Sequence, residues 1–326
     1  MDSTPATDLN KELVIVTLPE MDEIGDRVMQ HLKDMGDNRF RRVPIKWHNF
    51  ANGEFTPELA ESVRHAHAYL LGAPGLRPSE DIMRTMFAIN ALATNDAFTI
   101  RCLLTHITND REDKTDDRRT ALAAGVVADM LLMNKKVERI ITLDPHCDQM
   151  QGFYKVDGAT KLDILKARPL LVKYAKTLGP IDAVISPDAG GNKRAKKFAK
   201  KLGPNVGHGS YDKDRPEDNV AQVSNIVCNV SLRGKRVIIL DDMADTNGSL
   251  IATKKALDKE GAEVVCAIVT HWIGSPDKNG RSSEDRLREA GLKIVATNSI
   301  PRSAEYYTAR SDLLTIVDVS ERLAET

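Results

Sequence analysis

The chain has 326 residues, of which 41% are hydrophobic and 29% charged, and its formal net charge is −1. This length accommodates two α/β domains, and the composition is typical of a soluble globular protein. A nearly neutral chain offers no global electrostatic attraction for nucleic acid or for an anionic membrane surface. No apolar run approaches the roughly 20 residues of a membrane span. We therefore expect neither nucleic acid nor a membrane as a partner.

The cysteines and the N-terminal residues bear on where the protein works. Four cysteines (Cys102, Cys147, Cys228 and Cys266) are scattered, without a C-x-x-C pair. This pattern argues against a disulfide framework or a zinc site and favours a reducing compartment. Residues 1–10 are polar and acidic, unlike a secretory signal. The sequence predicts a cytoplasmic protein whose residues 1–10 form a disordered lead.

Short apolar runs alternate with segments of helical periodicity along the chain. Buried strands are predicted over residues 13–18, 43–45, 68–72, 100–104, 139–143, 182–185, 237–240, 263–270, 293–297 and 313–317. Helices are predicted over residues 21–35, 79–93, 120–132, 168–178, 193–202 and 250–257. Because each half repeats β–α units, the predicted fold class is α/β, with two tandem doubly wound parallel sheets. The predicted domains are residues 11–163 and 164–310, and residues 311–326 are expected to pack back on the first.

The stretch around residue 240 combines two kinds of chemistry in one loop. Asp241 and Asp242 follow the predicted strand, and residues 245–249 (Asp-Thr-Asn-Gly-Ser) lead into the next helix. Backbone N–H groups at a helix N-terminus bind phosphate, and carboxylates suit ribose hydroxyls or Mg²⁺. The combination indicates a ribose phosphate. The alternative is an ordinary βα turn with acidic caps, because short motifs also match by chance.

Three other stretches of the sequence are strongly polar. Residues 110–119 contain nine charged residues. Such a run is more often a solvated surface loop; the functional alternative is a nucleotide-contacting loop in which Arg111 meets a phosphate or stacks on a base. Asp144 and His146 follow the strand 139–143, and both are expected to face one cleft because alternate strand residues share a face. The polar loop that begins at Tyr211 is expected to be mobile.

Six stretches, taken in order, resemble the motifs of a single enzyme family. Residues 50–54, 111–114 and 144–154 are similar to F-S-D-G-E, R-Q-D-R and D-L-H-x-x-Q-x-Q-G-F-F. Residues 186–195 and 212–221 are similar to S-P-D-A-G-G-x-K-R-A and D-K-R-R-P-x-P-N-V-A. These are motifs of the ribose-phosphate pyrophosphokinases, also called phosphoribosyl pyrophosphate synthetases. The loop 237–250 resembles the phosphoribosyl-pyrophosphate-binding loop of the type I phosphoribosyltransferase fold, and the transferases share only that loop.

The resemblance implies a Mg²⁺-dependent enzyme with two domains of the type I phosphoribosyltransferase kind. Such an enzyme transfers the β,γ-diphosphoryl group of ATP to the 1-hydroxyl of ribose 5-phosphate, giving phosphoribosyl pyrophosphate and AMP. The family assembles as homodimers built into hexamers, so a homo-oligomer is expected. By the same resemblance, Lys213 and Arg215 would be the catalytic residues, on a loop that closes over the β-phosphate.

The resemblance also assigns substrate contacts, position by position. ATP would contact Phe50, Asn52, Gly53, Glu54, Arg111 and Glu112. Ribose 5-phosphate would contact Arg215, Asp241, Asp242, Asp245, Thr246, Asn247, Gly248 and Ser249. Mg²⁺ would be held, directly or through water, by His146, Asp188 and Asp144. A sparse set of protein ligands is expected because Mg²⁺ keeps several waters.

Four positions depart from the family's pattern. Asn52 replaces Asp, which changes the hydrogen-bonding options at the nucleotide. Glu112 replaces Gln, which places a carboxylate near the nucleotide. Asn247 replaces the first Gly of D-T-G-G-T, and the turn is expected to survive because Asn tolerates a left-handed backbone better than most residues. Pro145 replaces Leu. These changes leave the nucleotide preference open.

Two other functions are alternatives to an active synthetase. One is a non-catalytic subunit that associates with synthetases and regulates them. Asn52 and Glu112 leave this alternative open. The retained residues that argue against it are Lys213, Arg215, His146, Asp188 and Asp241. The other is a phosphoribosyltransferase, which would consume phosphoribosyl pyrophosphate together with a base. The sequence ends near Leu323 without the serine-containing tail of the common class. That tail helps form the regulatory site for phosphate and ADP, so we expect weak or absent control by those ligands.

Overall fold

The structure, a computed structural model, describes residues 12–115, 119–211 and 226–326. These residues divide into two compact units: the described residues up to Leu165 together with Ser320–Thr326, and Lys166–Val319. The predicted disordered lead, the loop after Tyr211 and part of the charged run lie outside the described residues. Among the described helices, none combines the length and apolar character that a membrane span requires.

The elements of the first unit alternate between strands and helices. Its strands are β1 (Leu13–Thr17), β2 (Phe40–Asn49), β3 (Phe55–Leu59), β4 (His67–Gly72), β5 (Thr99–Leu104), β6 (Val137–Leu143), β7 (Lys155–Val156), β8 (Ala159–Thr160) and β9 (Leu162–Leu165). Its helices before residue 165 are α1 (Asp22–Asp34), α2 (Pro78–Thr94) and α3 (Ala123–Leu132). The predicted helix 120–132 therefore begins three residues later than expected, at Ala123.

Seven of these strands form the first sheet, in the order β3-β2-β1-β4-β5-β6-β9. All neighbours pair in parallel except β2 and β3, which form an antiparallel hairpin. β4 and β5 are largely buried along their length, as is typical of parallel strands in α/β sheets. α1 buries Ile24, Val28 and Leu32, which recur every four residues on one face.

The second unit repeats the same alternation. Its strands are β10 (Ala183–Ser186), β11 (Gly207–Tyr211), β12 (Ile226–Cys228), β13 (Arg236–Leu240), β14 (Met243–Ala244), β15 (Glu263–Trp272), β16 (Ile294–Thr297) and β17 (Leu314–Val317). Its helices are α4 (Arg168–Ala175), α5 (Asn192–Leu202), α6 (Gly248–Lys259), α7 (Ser283–Ala290) and α8 (Ala304–Thr308). The chain then returns to the first unit as α9 (Ser320–Ala324).

The second sheet has the order β12-β11-β10-β13-β15-β16-β17, with β14 paired to β15. Its neighbours pair in parallel except β11 and β12. The two mainly parallel sheets confirm the predicted fold class. Because β10 and β13 are parallel neighbours, the loops that follow them lie at the same edge of the sheet, and these loops carry Asp188 and Asp241.

The C-terminal segment corrects one predicted domain boundary. We expected residues 311–326 to pack on the first domain. Residues 311–319 belong to the second unit instead, because β17 pairs in parallel with β16 and forms the edge of the described second sheet. Only Ser320–Thr326 joins the first unit.

Candidate active site

Two adjacent carboxylates lie at the carboxyl end of β13 and share one cation. Arg194 Nη1, from α5, donates hydrogen bonds to Asp242 Oδ1 at 2.9 Å and to Asp241 Oδ1 at 3.2 Å. Asp242 is 4% exposed, and its backbone N–H donates to Asp241 Oδ1 at 2.9 Å. Burial and the neighbouring Asp242 carboxylate raise the pKa of Asp241 well above its usual value, against the opposing effect of Arg194. A guanidinium thus neutralises part of a concentrated negative charge.

The residues after this pair form a turn that opens α6. Asn247 has φ of +63° and is the N-cap of the helix, so the prediction that Asn would support a left-handed backbone here is confirmed. Gly248 is the first helical residue, two positions earlier than predicted. Thr246 and Gly248 are exposed, whereas Asp245 and Ser249 are partly buried. The first N–H groups of a helix lack intrahelical acceptors, so this turn is suited to an anion.

Helix α7 contacts the same turn through two side chains that the sequence analysis did not single out. Asn247 Nδ2 donates to Ser283 Oγ, and Ser283 Oγ donates to the Asp245 carbonyl oxygen at 3.1 Å. Arg286 Nη1 donates to the Thr246 carbonyl oxygen. Nothing in the local sequence signalled these contacts, because α7 follows the turn by more than 30 residues and is largely polar.

The loop after β10 holds Asp188 on the surface. Asp188 is exposed, and its Oδ1 accepts a hydrogen bond from the Gly191 backbone N–H at 2.8 Å. Position 191 has no room for a side chain, because a Cβ there would lie 2.0 Å from Ser186 Oγ. The glycine therefore lets the chain fold tightly over the end of β10 and leaves the Asp188 carboxylate accessible. Arg194, three residues further on, brings α5 to the Asp241–Asp242 pair.

In the first unit, the hairpin between β2 and β3 contains the predicted Asn-Gly turn. Gly53 has φ of +89°, and Asn52 Oδ1 accepts from the Glu54 backbone N–H at 3.2 Å. The Phe50 backbone N–H donates to the Glu54 carbonyl oxygen at 2.8 Å. Phe50, Asn52, Gly53 and Glu54 are all exposed. The turn prediction is confirmed, and the side chains assigned to ATP are accessible to a ligand.

A second loop of the first unit joins the charged run to the segment after β6. The His146 backbone N–H donates to Asp110 Oδ2 at 2.8 Å, and Cys147 Sγ donates to Asp113 Oδ2 at 3.0 Å. Arg111, Glu112 and His146 are exposed. These two bonds place the residues predicted to contact ATP beside one predicted to hold Mg²⁺. Asp113 lies within the matched motif 111–114, but neither Asp110 nor Asp113 was assigned a role, because a charged run gives no indication of which member turns inward.

Asp144 and His146 are not alternate residues of a strand, so the prediction that they share a strand face is wrong. β6 ends at Leu143, and Asp144 has φ of +37°, so the extended backbone has stopped before either residue. Asp144 is partly buried, and its backbone N–H donates to the Leu165 carbonyl oxygen at 2.9 Å. A turn, rather than a strand face, orients these two side chains.

The carboxylates of Asp144 and Asp188 are ligands of the kind that Mg²⁺ takes, although the described residues form no dense cluster of ligands. Across residues 12–115, 119–211 and 226–326, no group of three or more His, Cys, Asp or Glu side chains could hold a metal ion. Mg²⁺ usually takes only one or two protein carboxylates together with substrate phosphates and waters. The exposed Asp188 carboxylate suits that mode of binding. Lys213 and Arg215 lie outside the described residues.

Comparison with known proteins identifies the family. Residues 13–134 match the N-terminal domain of ribose phosphate pyrophosphokinase, and residues 164–300 match the phosphoribosyl transferase domain. A ribose-phosphate pyrophosphokinase of Oceanobacillus iheyensis is 31% identical over 308 residues, covering 94% of this chain and 91% of that protein. The chain belongs to the ribose-phosphate pyrophosphokinase family.

Other members of the ribose-phosphate pyrophosphokinase family show similar agreement. The enzyme of Burkholderia pseudomallei is 36% identical over 259 residues, covering 78% of this chain and 77% of that protein. The crystal structure of phosphoribosylpyrophosphate synthetase from Mycobacterium smegmatis superposes with a TM-score of 0.81 at 28% identity, covering 97% of both chains. The sequence resemblance is therefore confirmed, and it extends through both units.

Proposed function

We propose that the protein is an active ribose-phosphate diphosphokinase, which converts ATP and ribose 5-phosphate to phosphoribosyl pyrophosphate and AMP. The observation that carries this proposal is the turn at Asn247 and Gly248, which opens α6 directly after the Asp241–Asp242 pair. In a member of this family, that pairing supplies a phosphate cradle and a partner for sugar hydroxyls within one loop.

Each half of the ribose 5-phosphate site has a chemical role. The first N–H groups of α6, in the turn that runs from Asp245 to Ser249, bind the 5-phosphate. The carboxylates of Asp241 and Asp242 accept hydrogen bonds from ribose hydroxyls. Arg194 keeps this acidic pair compatible with an anionic substrate, because its guanidinium offsets the two carboxylates. The sugar is thereby oriented with its 1-hydroxyl available.

The transfer forms one bond and breaks one bond. The 1-hydroxyl oxygen bonds to the β-phosphorus of ATP, the bond from that phosphorus to the oxygen bridging the α-phosphate breaks, and AMP departs with that oxygen. The hydroxyl proton passes to solvent. Catalysis in such a reaction comes mainly from positioning and charge stabilisation. We assign Lys213 and Arg215 to charge stabilisation on the strength of the sequence motif alone.

The nucleotide and the metal are assigned by the same proposal. ATP contacts the hairpin residues Phe50, Asn52, Gly53 and Glu54 and the loop residues Arg111 and Glu112. His146, Asp188 and Asp144 would hold Mg²⁺. When bound, Mg²⁺ neutralises phosphate oxygens as negative charge develops on them.

A direct assay tests the proposal. The protein is incubated with ATP, Mg²⁺ and ribose 5-phosphate, and AMP and phosphoribosyl pyrophosphate are followed by ³¹P NMR. We expect both products in equal amounts, and no AMP when ribose 5-phosphate is omitted. Absence of AMP with a folded protein would contradict the proposal. A nucleoside monophosphate formed only from phosphoribosyl pyrophosphate and a free base would indicate a transferase.

We further propose that the enzyme acts as a homo-oligomer in the cytoplasm. The family membership supports both statements, and the four cysteines are free thiols, as suits a reducing compartment. Light scattering coupled to size exclusion measures the assembly, and a mass equal to one chain would contradict it.

A further inference from the structure

Helix α7 holds the turn before α6 through a short chain of hydrogen bonds. Asn247 Nδ2 donates to Ser283 Oγ, and the Ser283 hydroxyl donates in turn to the Asp245 carbonyl oxygen at 3.1 Å. Asn247 is 4% exposed and Ser283 is fully buried. The Ser283 hydroxyl donates its proton to the Asp245 carbonyl oxygen, so its own oxygen can only accept from the Asn247 side-chain amide. This fixes the orientation of that amide. The left-handed Asn247 is thus tied to a second element.

Arg286, one turn further along α7, reaches the exposed side of the same turn. Its Nη1 donates to the Thr246 carbonyl oxygen. Its Nη2 lies 3.9 Å from the position that a Cβ would occupy on Gly248, the first residue of α6. The side chain is only 18% exposed, and its Nε lies 3.6 Å from Asp277 Oδ2. The guanidinium is therefore held beside the helix N-terminus, not free in solvent.

The start of α7 is itself fixed. Ser282 caps the helix by accepting from the Asp285 backbone N–H at 3.0 Å, which leaves the next side chain, Ser283, to bind the turn. Glu284 accepts from Arg310 Nε at 2.6 Å and from the Tyr306 hydroxyl at 3.1 Å. A helix anchored on both sides of Ser283 can hold the turn without moving with it.

The geometry points to Arg286 as a positioning residue of the phosphate site that selects a sugar carrying a 5-phosphate. It holds the Thr246 carbonyl oxygen and so fixes the turn that opens α6, the helix end that would bind the anion. Its positive charge lies beside Gly248, the first residue of α6. This charge favours the binding of a phosphate dianion over that of a neutral hydroxyl at the same position. This inference rests on the proposed function, because it takes ribose 5-phosphate as the ligand.

The test compares Arg286→Met with Arg288→Met, its matched control. Arg288 lies on the same helix, is 41% exposed, and pairs with Asp312 Oδ2 at 2.9 Å, away from the turn. We expect Arg286→Met to raise the KM for ribose 5-phosphate about tenfold or more, with the KM for ATP changed less than twofold. Arg286→Lys should recover part of the loss, since a lysine keeps the charge but not the planar fork. The control should match the wild type.

A binding measurement separates this inference from the proposed function. Calorimetry gives the Kd of ribose 5-phosphate and of inorganic phosphate for each folded variant, whether or not it turns over. Weaker binding of both ligands by Arg286→Met alone supports the inference, even if the wild type makes no AMP. Equal binding by Arg286→Met and the wild type, with AMP formation intact, overturns the inference and leaves the function standing. A wild type that binds neither ligand overturns both.

A second variant tests the same inference if Arg286→Met does not fold. Ser283→Ala removes the hydroxyl between Asn247 and the Asp245 carbonyl but adds no bulk. We expect it to weaken ribose 5-phosphate binding about threefold, since the turn loses one tether but keeps Arg286. If both Ser283→Ala and a well-folded Arg286→Met, with an unchanged Tm, bind ribose 5-phosphate like the wild type, α7 has no part in the site.

Discussion

The backbone N–H of His146 donates a 2.8 Å hydrogen bond to the Asp110 carboxylate. This bond joins the loop proposed to hold Mg²⁺ to the loop proposed to contact ATP. Asp110 is 2% exposed, and its charge adds to burial in raising the pKa of the Tyr154 hydroxyl. A buried carboxylate between two ligand loops fixes their separation.

Removing this carboxylate should lower kcat. In Asp110→Ala the His146 N–H loses its acceptor, and the loop moves to recover a partner. We expect kcat for AMP formation to fall about tenfold or more, with a smaller effect in Asp110→Asn, which keeps an acceptor oxygen. Asp129→Ala, at an exposed position of α3, is the control. An Asp110→Ala enzyme with wild-type kcat would contradict the prediction.

Ionisation of Asp241 should lower the free energy of unfolding at neutral pH. Its pKa is raised in the folded protein by burial and by Asp242, so between the usual pKa and the raised one the folded state holds a proton that the unfolded chain has lost. Stability contributed by this group therefore falls as pH rises through that interval, by up to about 1.4 kcal/mol per pH unit. We expect Asp241→Asn to have a higher Tm than the wild type at pH 7, a difference that shrinks towards pH 4, and weakened binding of ribose 5-phosphate.

Asp312→Asn provides a control of opposite sign. Its hydrogen bond with Arg288 lowers the pKa of Asp312, so this carboxylate favours the folded state above its usual pKa and loses that effect as pH falls. The variant should have a slightly lower Tm at pH 7 and match the wild type in acid. Parallel pH profiles for Asp241→Asn and Asp312→Asn would be incompatible with this account.

Gly191→Ala should destabilise the loop that presents Asp188. The added Cβ would stand 2.0 Å from Ser186 Oγ and 3.0 Å from Ser186 Cβ, and overpacking of this kind costs typically 1–3 kcal/mol. Ser186→Gly should relieve part of the loss, which a double-mutant cycle in urea would measure. Gly190→Ala, whose Cβ would meet only Asp188 Oδ1 at 3.3 Å, should cost less. Equal losses at the two glycines would argue against a steric cause.

Cys147 should react slowly with alkylating agents. Burial and the hydrogen bond to Asp113 raise the pKa of this thiol to about 11, and only the thiolate is nucleophilic. At pH 8 we expect iodoacetamide to modify it far more slowly than a free cysteine, with the rate rising about tenfold per pH unit. Asp113→Asn should accelerate the reaction several-fold, as measured by peptide mass spectrometry. A pH-independent rate would rule out control by thiolate formation.

Most of the strands could be predicted from apolar runs, because such a run is visible in a short stretch of sequence. An apolar run bounded by charged residues predicted a buried strand over residues 237–240. β13 spans Arg236–Leu240 in the structure. β11 was not predicted, because Gly207–Tyr211 contains no apolar run. A Cβ on Gly209 would stand 2.1 Å from the Val227 carbonyl oxygen, so a glycine is needed where β12 approaches.

The site was predictable where a motif lies in one stretch. The turn at Asn247 and the carboxylate Asp241 are neighbours in sequence, and their chemistry could be inferred together. Arg194 and Arg286 come from other elements, and only tertiary packing brings their side chains to the loop. No spacing rule connects a helix more than 30 residues downstream to a carbonyl oxygen.

The path of the chain has a consequence for dissecting the protein. The chain leaves the first unit after Leu165 and re-enters it at Ser320, where α9 packs on α1 and His31 Nε2 lies 3.2 Å from Ser320 Oγ. In genetic terms the second unit is an insertion near the end of the first. A gene fragment that stops at residue 165 encodes every strand of the first sheet but omits α9, the helix that packs on α1. An engineered junction from residue 165 to residue 320 would keep α9 on α1 and give the better starting point for expressing the first unit alone.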